Sequence, residues 1–122
     1  MGMIRFHILG AGGAVPTPSH TPAAYWVTVD DASFLMDPGP GALVRLVKAA
    51  GTPDTVDVVD RVFLTHLHPD HSLDLVALLF AMHSPLLPSE VPLQIWGPVG
   101  LEALIEQWRG IYGRWLDPRS RE

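Results

Sequence analysis

No cysteine occurs in the 122 residues, which excludes thiolate metal sites, disulfides and cysteine nucleophiles. That lack suits a reducing compartment, and the cytoplasm is the expected location. Long hydrophobic runs are also missing. The longest, Leu75 to Met82, falls far short of a membrane span, so no membrane association is expected. The N-terminus has no basic stretch leading into an apolar one, so no secretory leader is read there. Phe6 stands where a myristoylation signal needs serine or threonine. Positive charge is scarce, with 8 basic against 13 acidic side chains and a net charge of −5. Arg109, Arg114, Arg119 and Arg121 make up half of the basic set, and they cluster near the C-terminus. No basic stripe remains to track a phosphate backbone, so the charge pattern does not favour nucleic acid. Ions held in a site would still attract a phosphate locally.

A chain of this length is one domain with a modest core. Ile4, Phe6 and Ile8 alternate with Arg5 and His7 as in a half-exposed strand, and the glycine- and proline-rich stretch 10–22 reads as a loop. Strands are predicted over Tyr25 to Val29 and Ser33 to Met36, joined by a hairpin at Asp30-Asp31. Leu43, Leu46, Val47 and Ala50 have helical spacing, with Gly51 as the stop. A strand at Val62 to Thr65, a helix from Leu73 ended by Pro85, a strand at Leu93 to Trp96 and a helix from Leu101 to Trp108 complete the order. The class is α/β, a mixed sheet with helices on one face. Phe34-Leu35-Met36 and Val62-Phe63-Leu64 are apolar at consecutive positions, so both faces of the sheet need cover. The helices can cover one. The remaining sequence is too short to build a second layer, and an association surface is expected there.

What the chain does have is His66-Leu67-His68-Pro69-Asp70-His71, three imidazoles and a carboxylate between a buried strand and a helix. Imidazole suits zinc and other first-row metals, and the carboxylate suits a second, harder ion or a metal-bound water. Gly10-Ala11-Gly12-Gly13 follows a strand, but Val15 occupies the third fingerprint position of a dinucleotide loop and Pro16 and Pro18 oppose a helix. It reads as a tight loop leaving room beside the histidine turn. Asp37, in Asp37-Pro38-Gly39-Pro40-Gly41, is either a turn former or the acceptor for a ligand histidine's free ring nitrogen, and the second role is favoured. Asp74 reads as a favourable charge in a first helical turn. His7, His20 and His83 are isolated, and Trp108, Tyr112 and Trp115 read as packing or interface residues.

In this order, the first strand, the glycine-rich loop, the Asp37 turn and the Thr65-to-His71 run resemble the metallo-β-lactamase superfamily, and within it the ribonuclease Z and arylsulfatase-like branch. The resemblance implies an αββα sandwich, of which residues 1–122 look like the N-terminal half, with the C-terminal half absent. It implies that residues matching His66 and His68 hold one metal ion and those matching Asp70 and His71 another, with Asp37 supporting a ligand. Where the ribonuclease Z pattern has a glycine three residues after the last histidine, this chain has Asp74. The implied function is a metal-dependent hydrolase acting on a phosphodiester or related ester through a dinuclear metal-bound hydroxide. The ions are expected to be two divalent cations, zinc first, with manganese or iron as alternatives. Asp70 is the candidate for positioning or deprotonating the water. The substrate expected is a small-molecule or nucleotide ester. A different reading is a non-catalytic, metal-binding half-domain, inactive until it self-associates or meets a complementing C-terminal half. A histidine pair in an amidohydrolase barrel is excluded by length, since such barrels need about 250 residues.

Overall fold

The computed structural model describes residues 2–84, 86–87 and 92–117. Five strands form one sheet in the order β1-β2-β3-β4-β5: Ile4–Gly10, Ala24–Val29, Ala32–Met36, Arg61–Phe63 and Gln94–Trp96. β1, β2 and β3 form an antiparallel meander, and β3, β4 and β5 run parallel. The hairpin between β2 and β3 turns at Asp30, whose φ of 51° is a left-handed conformation that aspartate tolerates better than most residues. The parallel pairs require crossovers. The first runs through α1 (Ala42–Ala50) and α2 (Asp54–Val58), the second through a short α3 (Pro69–Ser72) and α4 (Asp74–His83). α5 (Leu101–Tyr112) follows β5 and ends in a 3₁₀ turn at Gly113–Leu116. Among the described residues no helix is long and apolar enough to cross a membrane.

The apolar spacing read from the sequence decides which helix faces are buried. Leu75, Leu78, Leu79 and Met82 of α4 pack with Leu46 of α1, Val56 and Val59 around α2, and Leu35 and Val62 of the sheet. Leu35 and Val62 lie opposite each other in the β3–β4 ladder, with Trp26 and Ile95 beside them in register, so one sheet face meets the helices. The opposite face carries Phe6, Tyr25, Phe34, Phe63 and Trp96. Their rings meet in pairs at 5.6 Å (Phe6–Tyr25), 5.3 Å (Phe34–Phe63) and 6.2 Å (Phe63–Trp96). On that side Ile4, Phe6, Ile8 and Trp96 each keep more than half of their surface open to solvent. The structure thus has the mixed sheet with helices on one face and a second apolar face besides.

Several details differ from the sequence reading. The alternation in β1 left open which side the helices cover, and Ile4, Phe6 and Ile8 lie on the side away from them. The helix side of β1 instead carries His7, stacked on Trp26 with ring centroids 4.5 Å apart. α2 and α3 were not legible, because neither is long enough to show a period. α5 continues past Trp108 to Tyr112. α4 ends at His83, and Pro85, the predicted stop, lies outside the described residues. Gly10 and Gly12 press against the backbone at 21–22 of their own loop, whereas the glycine packed on the histidine turn is Gly39.

Burial predicts where truncation is costly. Leu35→Ala should cost about 2–5 kcal/mol in urea unfolding, because Leu35 is enclosed from both helix and strand sides. Val99→Ala, at a fully exposed turn position, should leave the midpoint unchanged.

Candidate metal centre

Parallel pairing of β3 with β4 brings their C-terminal ends to the same sheet edge, and the two turns that leave them lie side by side. The ladder continues past the strands, with the Asp37 N–H donating to the Phe63 carbonyl at 2.9 Å and the Leu64 N–H to the Trp96 carbonyl at 2.8 Å. Asp37 follows β3 directly and takes a φ of 49°. This bend turns its side chain toward the residues that leave β4. Its carboxylate is 5% exposed and must find partners there. Oδ1 accepts the Thr65 N–H at 2.8 Å, and Oδ2 accepts the Thr65 hydroxyl at 2.7 Å.

The same hydroxyl lies 2.9 Å from His66 Nδ1. A threonine has one hydroxyl proton, and an ionised carboxylate can only accept. With that proton given to Asp37, the hydroxyl oxygen accepts from His66, so Nδ1 carries the hydrogen and Nε2 keeps its lone pair free. Asp37 therefore orients His66 through Thr65. Its direct neighbour among the histidines is His71, whose Nδ1 approaches Oδ2 at 3.3 Å. That approach lacks hydrogen-bond alignment, leaving His71 Nδ1 a buried nitrogen with no hydrogen-bond partner. On its other side His71 Nε2 lies 3.4 Å from Asp70 Oδ2.

The histidine turn owes its shape to local bonds. His68 caps α3, Pro69 occupies a first-turn position where its missing N–H costs nothing, and the His71 N–H returns to the His68 carbonyl at 2.9 Å. The buried Ser72 hydroxyl reaches the carbonyls of Leu67 (3.2 Å) and His68 (3.0 Å). Gly39 lies so close to the Asp70 carbonyl that a Cβ there would collide with it. The ring centroid of His66 lies 4.8 Å from that of His68 and 4.2 Å from that of His71.

All five residues singled out from the sequence thus come together. Their donor atoms form two groups, Asp37 with His66 and His71, and His66 with His68 and Asp70, each spanning no more than 4.8 Å. Two donors about 2.0–2.2 Å from one ion lie at most about 4.4 Å apart, so small side-chain rotations close either group on a cation. The mixed nitrogen and oxygen set suits a first-row divalent ion, and the unpartnered His71 Nδ1 is the kind of atom such an ion would satisfy. The residues fit a metal. By distance alone His66 belongs to both groups, and Asp37 offers an oxygen to one of them. Thr65 and Ser72 were missed as contributors. For Thr65 the available signal was a hydroxyl directly before the first histidine.

A family model described as a beta-lactamase superfamily domain matches residues 33–114, which include all of these residues. Zinc phosphodiesterase ELAC protein 1 from Homo sapiens is 35% identical over 106 residues, covering 83% of this chain and 27% of that protein. Ribonuclease Z from a Bacteroides fragilis strain is 34% identical over 105 residues, covering 86% of this chain and 33% of the relative. The crystal structure of human tRNase Z, short form, superposes with a TM-score of 0.74 at 31% identity, covering 90% of this chain and 39% of that one. The chain spans about a third of the length of the curated relatives it matches.

The hydroxyl relay has a direct readout. In metal-free protein, the ring nitrogens of neutral His66 should show the Nδ1–H form by ¹⁵N NMR, and Thr65→Val should shift the population toward Nε2–H. The same variant removes a hydrogen bond to a buried charge and should cost about 1.5–3 kcal/mol, with Thr65→Ser recovering most of both effects. An unchanged His66 pattern in Thr65→Val would show that the hydroxyl does not orient the ring.

Proposed function

The chain belongs to the metallo-β-lactamase superfamily, and from that membership we propose that it carries the metal-binding N-terminal half of a metal-dependent phosphodiesterase. The observation that carries this reading is the convergence of Asp37, His66, His68, Asp70 and His71 at one sheet edge. His66, His68, Asp70 and His71 would be the ligands, and Asp37 would orient His66 through Thr65 while its Oδ2 stands beside His71. Bound divalent ions, with zinc first as the name of the human relative suggests, would supply charge stabilisation and a water of lowered pKa. Asp70, at the start of α3, would orient that water or take its proton. The names ribonuclease Z and tRNase Z point to an RNA phosphodiester, while the net charge of −5 favours a smaller nucleotide or related ester. For the compartment we propose the cytoplasm, which the lack of cysteine suits without requiring it.

A second reading has its own support. Catalytic zinc sites hold three protein ligands per ion, and the two donor groups here share His66. The described residues therefore cannot give three ligands each to two ions. The open apolar face lies on the same sheet, so a complementing half or a second copy could cover it and add donors at the edge. In this reading the 122 residues bind metal but do not turn over substrate until they are completed.

Elemental analysis tests the ligand assignment. His66→Ala and His68→Ala should each abolish metal binding at the group they share, and unchanged zinc content in both would sink it. Asp37→Ala should lower affinity by about 10–100-fold in a competing-chelator titration. Hydrolysis of a chromogenic phosphodiester, run beside a tRNA substrate and light scattering, separates the two functional readings. The 122-residue chain alone should self-associate and show no turnover. A compact monomer hydrolysing the ester at saturating metal would overturn the incomplete-site reading.

A further inference from the structure

α1 starts without a cap from its own sequence. Its N-cap is Gly41, with a φ of 87° and no side chain to accept the first free N–H groups. The carboxylate that does so comes from another helix. Asp74 Oδ2 accepts the Leu43 N–H at 2.6 Å, and Oδ1 accepts the Gly41 N–H at 3.2 Å. The Asp74 backbone makes the reciprocal contact, its N–H donating to the Pro38 carbonyl at 3.0 Å. Charge-assisted bonds at a helix N-terminus are among the stronger hydrogen bonds a surface carboxylate can make.

Asp74 stands three residues after His71, at the first position of α4. Through it the segment carrying the histidines grips the far end of the 37–41 turn, while Asp37 grips Thr65 from the near end. Between the two grips Gly39 lies against the Asp70 carbonyl and donates its N–H to the Ala23 carbonyl at 3.0 Å. The turn has left-handed residues at Asp37 and Gly41. Aspartate tolerates this conformation better than most residues, and at Asp37 the grips on either side hold it in place. We propose that Asp74 is a positioning residue: it locks the Asp37 turn onto the histidine turn and so sets where the Asp37 carboxylate stands relative to Thr65 and His71. Its effect on metal binding rests on the metal-centre reading, whereas its effect on the Asp37–Thr65 contact does not.

The test uses Asp74→Ala and Asp74→Asn in the intact protein, with two readouts. In the metal-free state, amide hydrogen exchange at Thr65, taken as a ratio to the core amide of Val62, reports whether Asp37 still holds the Thr65 N–H. In the cobalt-loaded state, affinity and the visible absorption of Co(II) report ligand geometry. Asp74→Ala should raise the exchange ratio and weaken cobalt binding, each by about tenfold, with an altered spectrum. Asp74→Asn keeps one oxygen for the Leu43 N–H and should recover most of both. Leu116→Ala, a buried truncation in the C-terminal 3₁₀ turn, should lower the melting temperature without moving the exchange ratio or the spectrum. An Asp74→Ala protein with the wild-type exchange ratio overturns the proposal. A wild-type protein that binds no cobalt overturns the metal-centre reading instead, and the exchange ratio still decides the role of Asp74.

Discussion

The carboxylate of Asp37 is nearly buried at the end of a sheet strand, and burying a charge there is tolerable only if its oxygens are bonded. Thr65 answers with both its amide and its hydroxyl. That pair fixes the separation of the two turns leaving β3 and β4, orients His66 through the shared hydroxyl, and leaves Oδ2 beside His71. The left-handed backbone at Asp37, the tight approach of Gly39 and the Asp74 cap on α1 all serve the same closure. Without it the three imidazoles would still be close in sequence, but nothing would set their rings against the Asp37 carboxylate.

The sheet that presents this edge faces two ways. Its helix side is closed by α1, α2, α4 and α5 over Leu35 and Val62. Its other side carries rings that meet between β1 and β2 and again from β3 to β5, yet Phe6 and Trp96 remain more than half exposed. Both the apolar face and the histidine turn belong to β4 and its exit, because alternate side chains of one strand point to opposite faces while its end opens onto the edge. Phe63 and Trp96 therefore lie on the face that adjoins the edge carrying the Asp37–His71 cluster.

The candidate ligands were legible for a simple reason: His66, His68, Asp70 and His71 fall within six consecutive residues, and metal-ligating residue types at that density have few other uses. The helices with a clear apolar period, α1 and α4, and the alternating or continuous apolar strands were equally legible. α2 and α3 were not, having too few residues for any period, and alternation in β1 revealed two faces without showing which one the helices occupy. Asp74 was read as a charge at its own helix, whereas it caps α1, a partner more than thirty residues away in the chain.

By itself, then, the sequence determined the donor chemistry, the α/β element order and the presence of two apolar sheet faces, because composition and periodicity are local properties. Tertiary structure alone decided that the Asp37 carboxylate stands beside His66 and His71. It also decided that Thr65 passes the influence of Asp37 to His66, and that Asp74 clamps the turn between them. The Asp37–Thr65 and Asp74–Leu43 contacts join residues about 30 positions apart, brought together as β3 and β4 pair in parallel. No pattern in the linear chain specifies such a distance, since the crossover closes it by packing rather than by spacing.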